Sequence, residues 1–426
     1  MTTAATRASR LSTHPPGLYV LFFTEMWERY SFYSMMAILS LYMNEALHFD
    51  VAHVGRVYGA YTAGVYLVPV VGGLIADRFL GFTRAIIVGG VLMMLGHLVL
   101  GLEALPFFYA GLVLLACGSG LLKPNVSTLA GNLYRDRPEL RDQGFNIYYM
   151  GVNIGAFISP LSVAWLRIHY GWSVAFMSAA VAMLLSLITF ITFKHHLAAA
   201  DVKDEATRAH AAVLSSSEVR SRVITLLAIF GISLVFWIAF YQIFYTFTFW
   251  ARDSTATSWP PERFQTFEPL GVILLSPVLV AIWAWLQRRN AEPSTPVKML
   301  MGVVLVGTAF GALAYAGTIG GDTGRVSPLW LISANLLIAV GEIALSPMGM
   351  SLVNRLSPPK LRGLMMGGWF ASLGIGGYLS GSIGVYWEQM PHSRFFLMVV
   401  AILVLVAVPL SLLTPQIKRT LQRAEA

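Results

Sequence analysis

The sequence has a single cysteine, Cys117, so no disulfide can form within the chain and no cysteine metal cluster can assemble. Charge is scarce as well. Asp, Glu, Lys and Arg make up 12% of the 426 residues, where a soluble domain devotes about a quarter to them. Histidine is missing where catalysis would need it. His97 is the one His well inside an apolar run, and no nucleophile, base or metal set converges near an interface, which argues against an integral-membrane enzyme. No basic stripe interleaves with aromatics on a polar domain, so the net charge of +8 does not signal nucleic-acid binding. A cleavable signal peptide is not expected, because the first apolar run is too long and carries charges. No strong internal repeat is found, and neither a cofactor nor a metal ion is expected.

What the chain does contain is apolar residues, 56% of the total. They form twelve runs, at about 17–46, 55–76, 83–102, 106–132, 142–168, 172–193, 222–250, 266–288, 298–319, 328–355, 361–388 and 392–414. Most reach the ~20 residues needed to cross a bilayer. The expected fold class is an all-α integral membrane protein. Its parts are a polar leader at 1–16, a six-helix bundle at 17–193, a linker at 194–221, a second six-helix bundle at 222–415 and a tail at 416–426. Two equal halves point to parallel bundles with substrate bound at the midplane between them. Lys and Arg cluster in alternate connections, among them Arg78, Arg84, Arg135, Arg137, Arg141, Arg288, Arg289 and Arg355. By the positive-inside rule both termini then lie in the cytoplasm, and the cell inner membrane is the expected location.

Several charges fall inside these runs. Glu25, Glu28 and Arg29 are three and four residues apart, which sets them on one helix face. At ~1.5 Å per residue from Gly17 they lie roughly 12–18 Å along the helix, near mid-bilayer. Two acids sharing one Arg cannot both be neutralised, so one of them is expected to hold a proton part of the time. The plainer reading is a static ion-pair staple. Lys123, in Gly118-Ser119-Gly120-Leu121-Leu122-Lys123-Pro124-Asn125, is a second deep cation, unless it snorkels to a rim. On the fifth run Asn146, Tyr149 and Asn153 share a face, whereas Gly151 and Gly155 form a packing stripe. Tyr149 and Asn153 are open to packing or ligand contact. Glu342 is a lone acid in an apolar helix, which favours a functional role. Trp237 and Trp369 fit a cavity wall or ordinary packing equally. Glu268, beside Pro269, either faces a cavity or starts its helix in water.

These stretches resemble the proton-coupled oligopeptide transporter (POT) family of the major facilitator superfamily. The resemblance rests on Glu-x-x-Glu-Arg at Glu25, Glu28 and Arg29, on Gly-x-Gly-x-x-Lys-Pro-Asn from Gly118 to Asn125, and on the run from Phe145 to Gly155. It spans nearly all of 17–415, and the loop from Gly72 to Gly81 resembles the superfamily's connection between helices two and three. The resemblance implies twelve transmembrane helices in two bundles and proton-driven import of di- and tripeptides by alternating access, by a monomer. It also implies that Lys123 and Arg29 meet the peptide carboxylate and Glu342 its ammonium. Proton coupling would fall to Glu25, Glu28, Arg29, Glu342 and Glu268, while Tyr33, Tyr66, Tyr149, Asn153, Ser346, Trp237 and Trp369 would line the peptide site. A zwitterion does need an anion receptor and a cation receptor about its own length apart. The alternative is a related carrier for another small organic solute or an anion, but a simple anion would leave Glu342 without a task.

Four positions depart from the family pattern. Met36 stands where a second Arg is common, Phe32 where a Tyr is, Tyr241 where an acid precedes Gln, and Glu268 where Asn precedes Pro. The missing Arg and acid are expected to face each other across the outer mouth. Losing both predicts an outer closure built on apolar and aromatic contacts, with Glu268 offsetting the acid absent at Tyr241. The polar linker leaves no room for the two extra helices of many bacterial members.

Overall fold

A computed structural model of the protein describes residues 14–137, 140–202, 215–358 and 361–425, without the side chains of 142, 362 and 422–425. Most of the expected leader, the middle of the linker and the last residue of the tail lie outside the described residues. The rest is helical: α1 (Pro16–Leu41), α2 (Val51–Ile75), α3 (Phe82–Leu100), α4 (Leu105–Asn132), α5 (Arg141–Phe193), α6 (Ser216–Phe240), α7 (Thr246–Asp253), α8 (Phe267–Arg288), α9 (Thr295–Ile319), α10 (Pro328–Leu356), α11 (Arg362–Gly384) and α12 (His392–Glu425).

Among the described residues, nine helical stretches are long and apolar enough to cross a membrane. The chain is therefore a multi-pass membrane protein. α1 is not one of the nine, because no membrane-length stretch of it avoids Glu25, Glu28 and Arg29. α5, at 53 residues, is about twice the length one crossing needs. It breaks at Gly171 (φ 85°, ψ −179°), a left-handed backbone that a side chain would strain, and there the fifth and sixth apolar runs meet. The run at 222–250 behaves in the opposite way. α6 ends at Phe240, a 3-10 turn covers Tyr241–Phe244, and α7 follows. α6 also begins earlier than the apolar run, where the Ser215 hydroxyl accepts the Glu218 N–H at 3.3 Å as an N-cap.

The described residues fall into two compact units. One draws on Met1–Tyr33, Val68–Ala156 and Phe176–Lys203, the other on Ser34–Leu67, Phe157–Ala175 and Asp204–Ala426. In the first, glycines set how closely the helices cross. A Cβ on Gly118 would strike the Gly89 carbonyl and Met93 of α3, and one on Gly120 would strike Val68 of α2. The two glycines of the Gly-x-Gly-x-x-Lys-Pro-Asn stretch are thus crossing points, and the crossing brings Lys123 inward.

In the second unit, the end of α1, the part of α5 before Gly171 and the segment from α6 to α8 are tied together. Arg167 donates two hydrogen bonds to Glu262, at 2.6 and 3.2 Å, and lies 3.9 Å from Glu45. Arg252 donates to Asn44 at 2.8 Å and to Glu45 at 3.4 Å. The Tyr58 and Tyr245 rings stack at 5.7 Å, and Tyr245 donates to the Val51 carbonyl at 2.5 Å. Met36 and Tyr241 are both buried, and the Tyr241 ring meets those of Tyr66 and Trp237. Ion pairs stand beside these aromatic contacts. Ion pairing falls to Arg167, Glu262, Glu45 and Arg252, whose partners are too distant in sequence to be matched by spacing.

Candidate functional site

The acids and Arg on α1 form one cluster. Arg29 Nε lies 3.0 Å from Glu25 Oε1 and 2.5 Å from Glu28 Oε2, and all three residues are buried, Glu28 completely. Neighbouring helices fix this stretch of backbone. Gly155 of α5 lies so close to the Met26 carbonyl, the Tyr30 nitrogen and Arg29 Cβ that no side chain fits between them. Ser186 donates to the Thr24 carbonyl at 2.7 Å, and Ser31 bonds to the buried His97 of α3 at 2.7 Å. Lys123 enters from α4, its Nζ 4.2 Å from the centroid of the Phe32 ring, while the Arg29 guanidinium carbon lies 5.4 Å from the same ring. Phe32, one of the four departures, thus offers a π face to both cations. Glu25, Glu28 and Arg29 supply the electrostatic surroundings of Lys123, so it belongs to the cluster and not to a rim. Two carboxylates, a guanidinium and an ammonium sum to zero. With Lys123 as a second cation, the set is neutral when all four groups are charged. A buried set of charges is tolerated when it is balanced in this way.

The second unit holds a different arrangement. Glu268, in the first turn of α8, is 8% exposed, so it does not start its helix in water. Its carboxyl lies close to that of Glu342 on α10. The two helices come close where Gly271 meets Ala339 and Leu336. Two carboxyls sharing one buried site disfavour double ionisation. Ser346 follows Glu342 by one turn and is half-buried.

The sequence model of the POT family matches residues 83–217 and 192–395. The chain belongs to the POT family. It is 32% identical to the uncharacterized transporter YclF of Bacillus subtilis, over 96% of this chain and 95% of that one. It is 30% identical to the peptide transporter YePEPT of Yersinia enterocolitica, over 87% and 88%. Among solved structures it matches a peptide transporter POT in complex with alafosfalin, with a TM-score of 0.88 and 29% identity over 96% of both chains. It also matches a POT family transporter in complex with a thioalcohol-conjugated peptide, with a TM-score of 0.87 and 25% identity over 95% and 97%. The fold is the major facilitator fold of these POT transporters.

The remaining site candidates of this POT chain are scattered. Tyr33 packs edge-on to Phe32, at 5.3 Å between ring centroids, close to the cluster. Tyr66 faces Tyr241 at 6.0 Å in the second unit. Asn153 is buried, and its amide donates to the Tyr149 carbonyl at 2.9 Å. Tyr149 itself is 43% exposed. Trp237 and Trp369 are buried, the first donating to Ser233 at 3.1 Å and the second lying against Gly349. Tyr148 escaped the sequence reading, although its phenol lies beside Glu25 and Ser127. A signal was available. Tyr148 precedes Gly151 and Gly155 by three and seven residues, so it shares the face on which those glycines meet α1.

Proposed function

We propose that this POT protein is a proton-coupled symporter importing di- and tripeptides by alternating access. It crosses the inner membrane twelve times as two six-helix bundles, keeps both termini in the cytoplasm, and works as a monomer. The peptide specificity of named relatives supports this reading, and the balanced charge cluster on α1 and α4 carries it. A peptide carboxylate arriving at Lys123 and Arg29 adds one negative charge to a neutral, buried set. A proton on Glu28 restores the balance, so carboxylate binding and protonation favour each other. Release of either on the cytoplasmic side then promotes release of the other. Glu342 receives the peptide ammonium, and Glu268 shares a proton with it.

The test is uptake into proteoliposomes with a panel of di- and tripeptides under an imposed pH gradient. Accumulation that follows the gradient is expected, and transport that ignores it would defeat the coupling. At the ammonium site, Glu342→Gln should weaken peptides with a free amino terminus at least ~10-fold more than their N-acetylated forms, because only the former lose an ion pair. Equal losses would remove Glu342 from that role. Glu268→Asn should shift the pH dependence of exchange without abolishing peptide binding. An unchanged profile would leave Glu268 outside the proton path.

A further inference from the structure

Alternating access requires one end of the carrier to close while the other opens, and the pair expected to close the outer end is missing at Met36 and Tyr241. In its place the second unit holds a chain of alternating charges, Glu262, Arg167, Glu45, Arg252 and Asp253. Arg252 closes the chain with two bonds to Asp253, at 2.8 and 3.0 Å. Burial is graded along it. The Glu262 side chain is fully buried and that of Arg167 17% exposed, while those of Glu45, Arg252 and Asp253 are 30–46% exposed. The Arg167 guanidinium also lies 4.9 Å from the Trp172 ring, which packs edge-on against Tyr42 at 5.5 Å.

The partners come from different halves of the sequence. Glu45 and Arg167 precede the linker, and Arg252 and Glu262 follow it. Nearby bonds have the same character. Ser40 donates to the Phe244 carbonyl at 2.8 Å, Tyr58 to the Tyr241 carbonyl at 3.2 Å, and Gln265 to the Ala37 carbonyl at 3.2 Å. These three bonds each run from a side chain to a backbone carbonyl. A buried ion pair is close to break-even against hydration of its two groups. It is therefore suited to a contact that must be dry when shut and wet when open, which an apolar plug of equal area is not.

We propose that the Arg167–Glu262 pair, extended through Glu45 to Arg252, is the latch that holds the outer end of this carrier shut. This rests on the alternating-access reading above, but its test needs no substrate. Cys117→Ser removes the native thiol, and Met36→Cys places one at a buried position, where Met36 is 1% exposed and precedes Ala37, whose carbonyl accepts from Gln265. Labelling by a membrane-impermeant thiol reagent from outside then reports opening. With the latch intact labelling is slow. Glu262→Gln and Arg167→Gln should each speed it by about tenfold or more, as a minor open state becomes a major one. The charge-swapped double variant, Arg167→Glu with Glu262→Arg, should return the rate toward that of the intact pair. Unchanged labelling in both single variants, or a swapped pair as fast as either, would overturn the latch. Should the wild type carry no peptide, the transport reading fails while the labelling result still decides the latch.

Discussion

Lys123→Ala is expected to abolish uptake of di- and tripeptides in a protein that still folds. The ammonium is one of two positive charges in the α1–α4 cluster, 4.2 Å from the Phe32 ring and within the field of Glu25 and Glu28. Without it the set carries a net negative charge, and an incoming carboxylate meets repulsion with Arg29 as its only donor there. Truncating one member of a buried charge pair costs about 2–5 kcal/mol, so peptide affinity should fall at least ~30-fold. Folding should survive, because a carboxylate stranded by the change can take up a proton and become neutral. Lys123→Arg keeps the charge but replaces a compact ammonium with a planar fork, and partial activity is expected. Binding isotherms and counterflow, alongside a thermal melt, separate the two effects. Near-wild-type uptake by Lys123→Ala would show that this lysine only fills space.

Glu28→Gln should uncouple transport without stopping exchange. Glu28 is the one member of the cluster with no exposed surface, and its carboxylate lies 2.5 Å from Arg29 Nε. Glutamine has nearly the same shape and imitates the protonated acid permanently. The variant therefore rests in the form that accepts a peptide carboxylate, so counterflow of labelled peptide should persist. Accumulation against a gradient should fail, because no proton is released when the peptide leaves. A Glu28→Gln protein that still concentrates peptide under an imposed pH gradient would place the coupled proton elsewhere, at Glu25 or on the Glu268–Glu342 pair.

Much of the site was legible because ionisable groups are costly inside an apolar run and therefore stand out. Glu25, Glu28, Arg29, Lys123 and Glu342 were identified in this way, and helical spacing placed the first three on one face. Spacing could not show that Lys123 completes the charge balance of α1, since the two sit on different helices 94 residues apart. For the same reason it missed the Arg167–Glu262 bond, whose partners are 95 residues apart. The glycine stripe on α5 was read correctly as packing, but its consequence, Tyr148 turned toward Glu25, emerged only once α1 was seen to be what it packs against.

By itself the sequence determined the environment and the class of protein. Its apolar runs require helices in a bilayer, where every backbone polar group must be satisfied within its own segment. Its buried charges announce a polar ligand or a proton path, and its motifs place it with the POT transporters. Tertiary structure alone decided which charges neutralise one another. It set Lys123 beside Phe32, brought Glu268 close to Glu342, and gave the buried Glu262 its arginine. The physical reason is range: hydropathy and helical periodicity are local along the chain, whereas the energy of a buried charge depends on partners that only helix packing brings within a few ångströms.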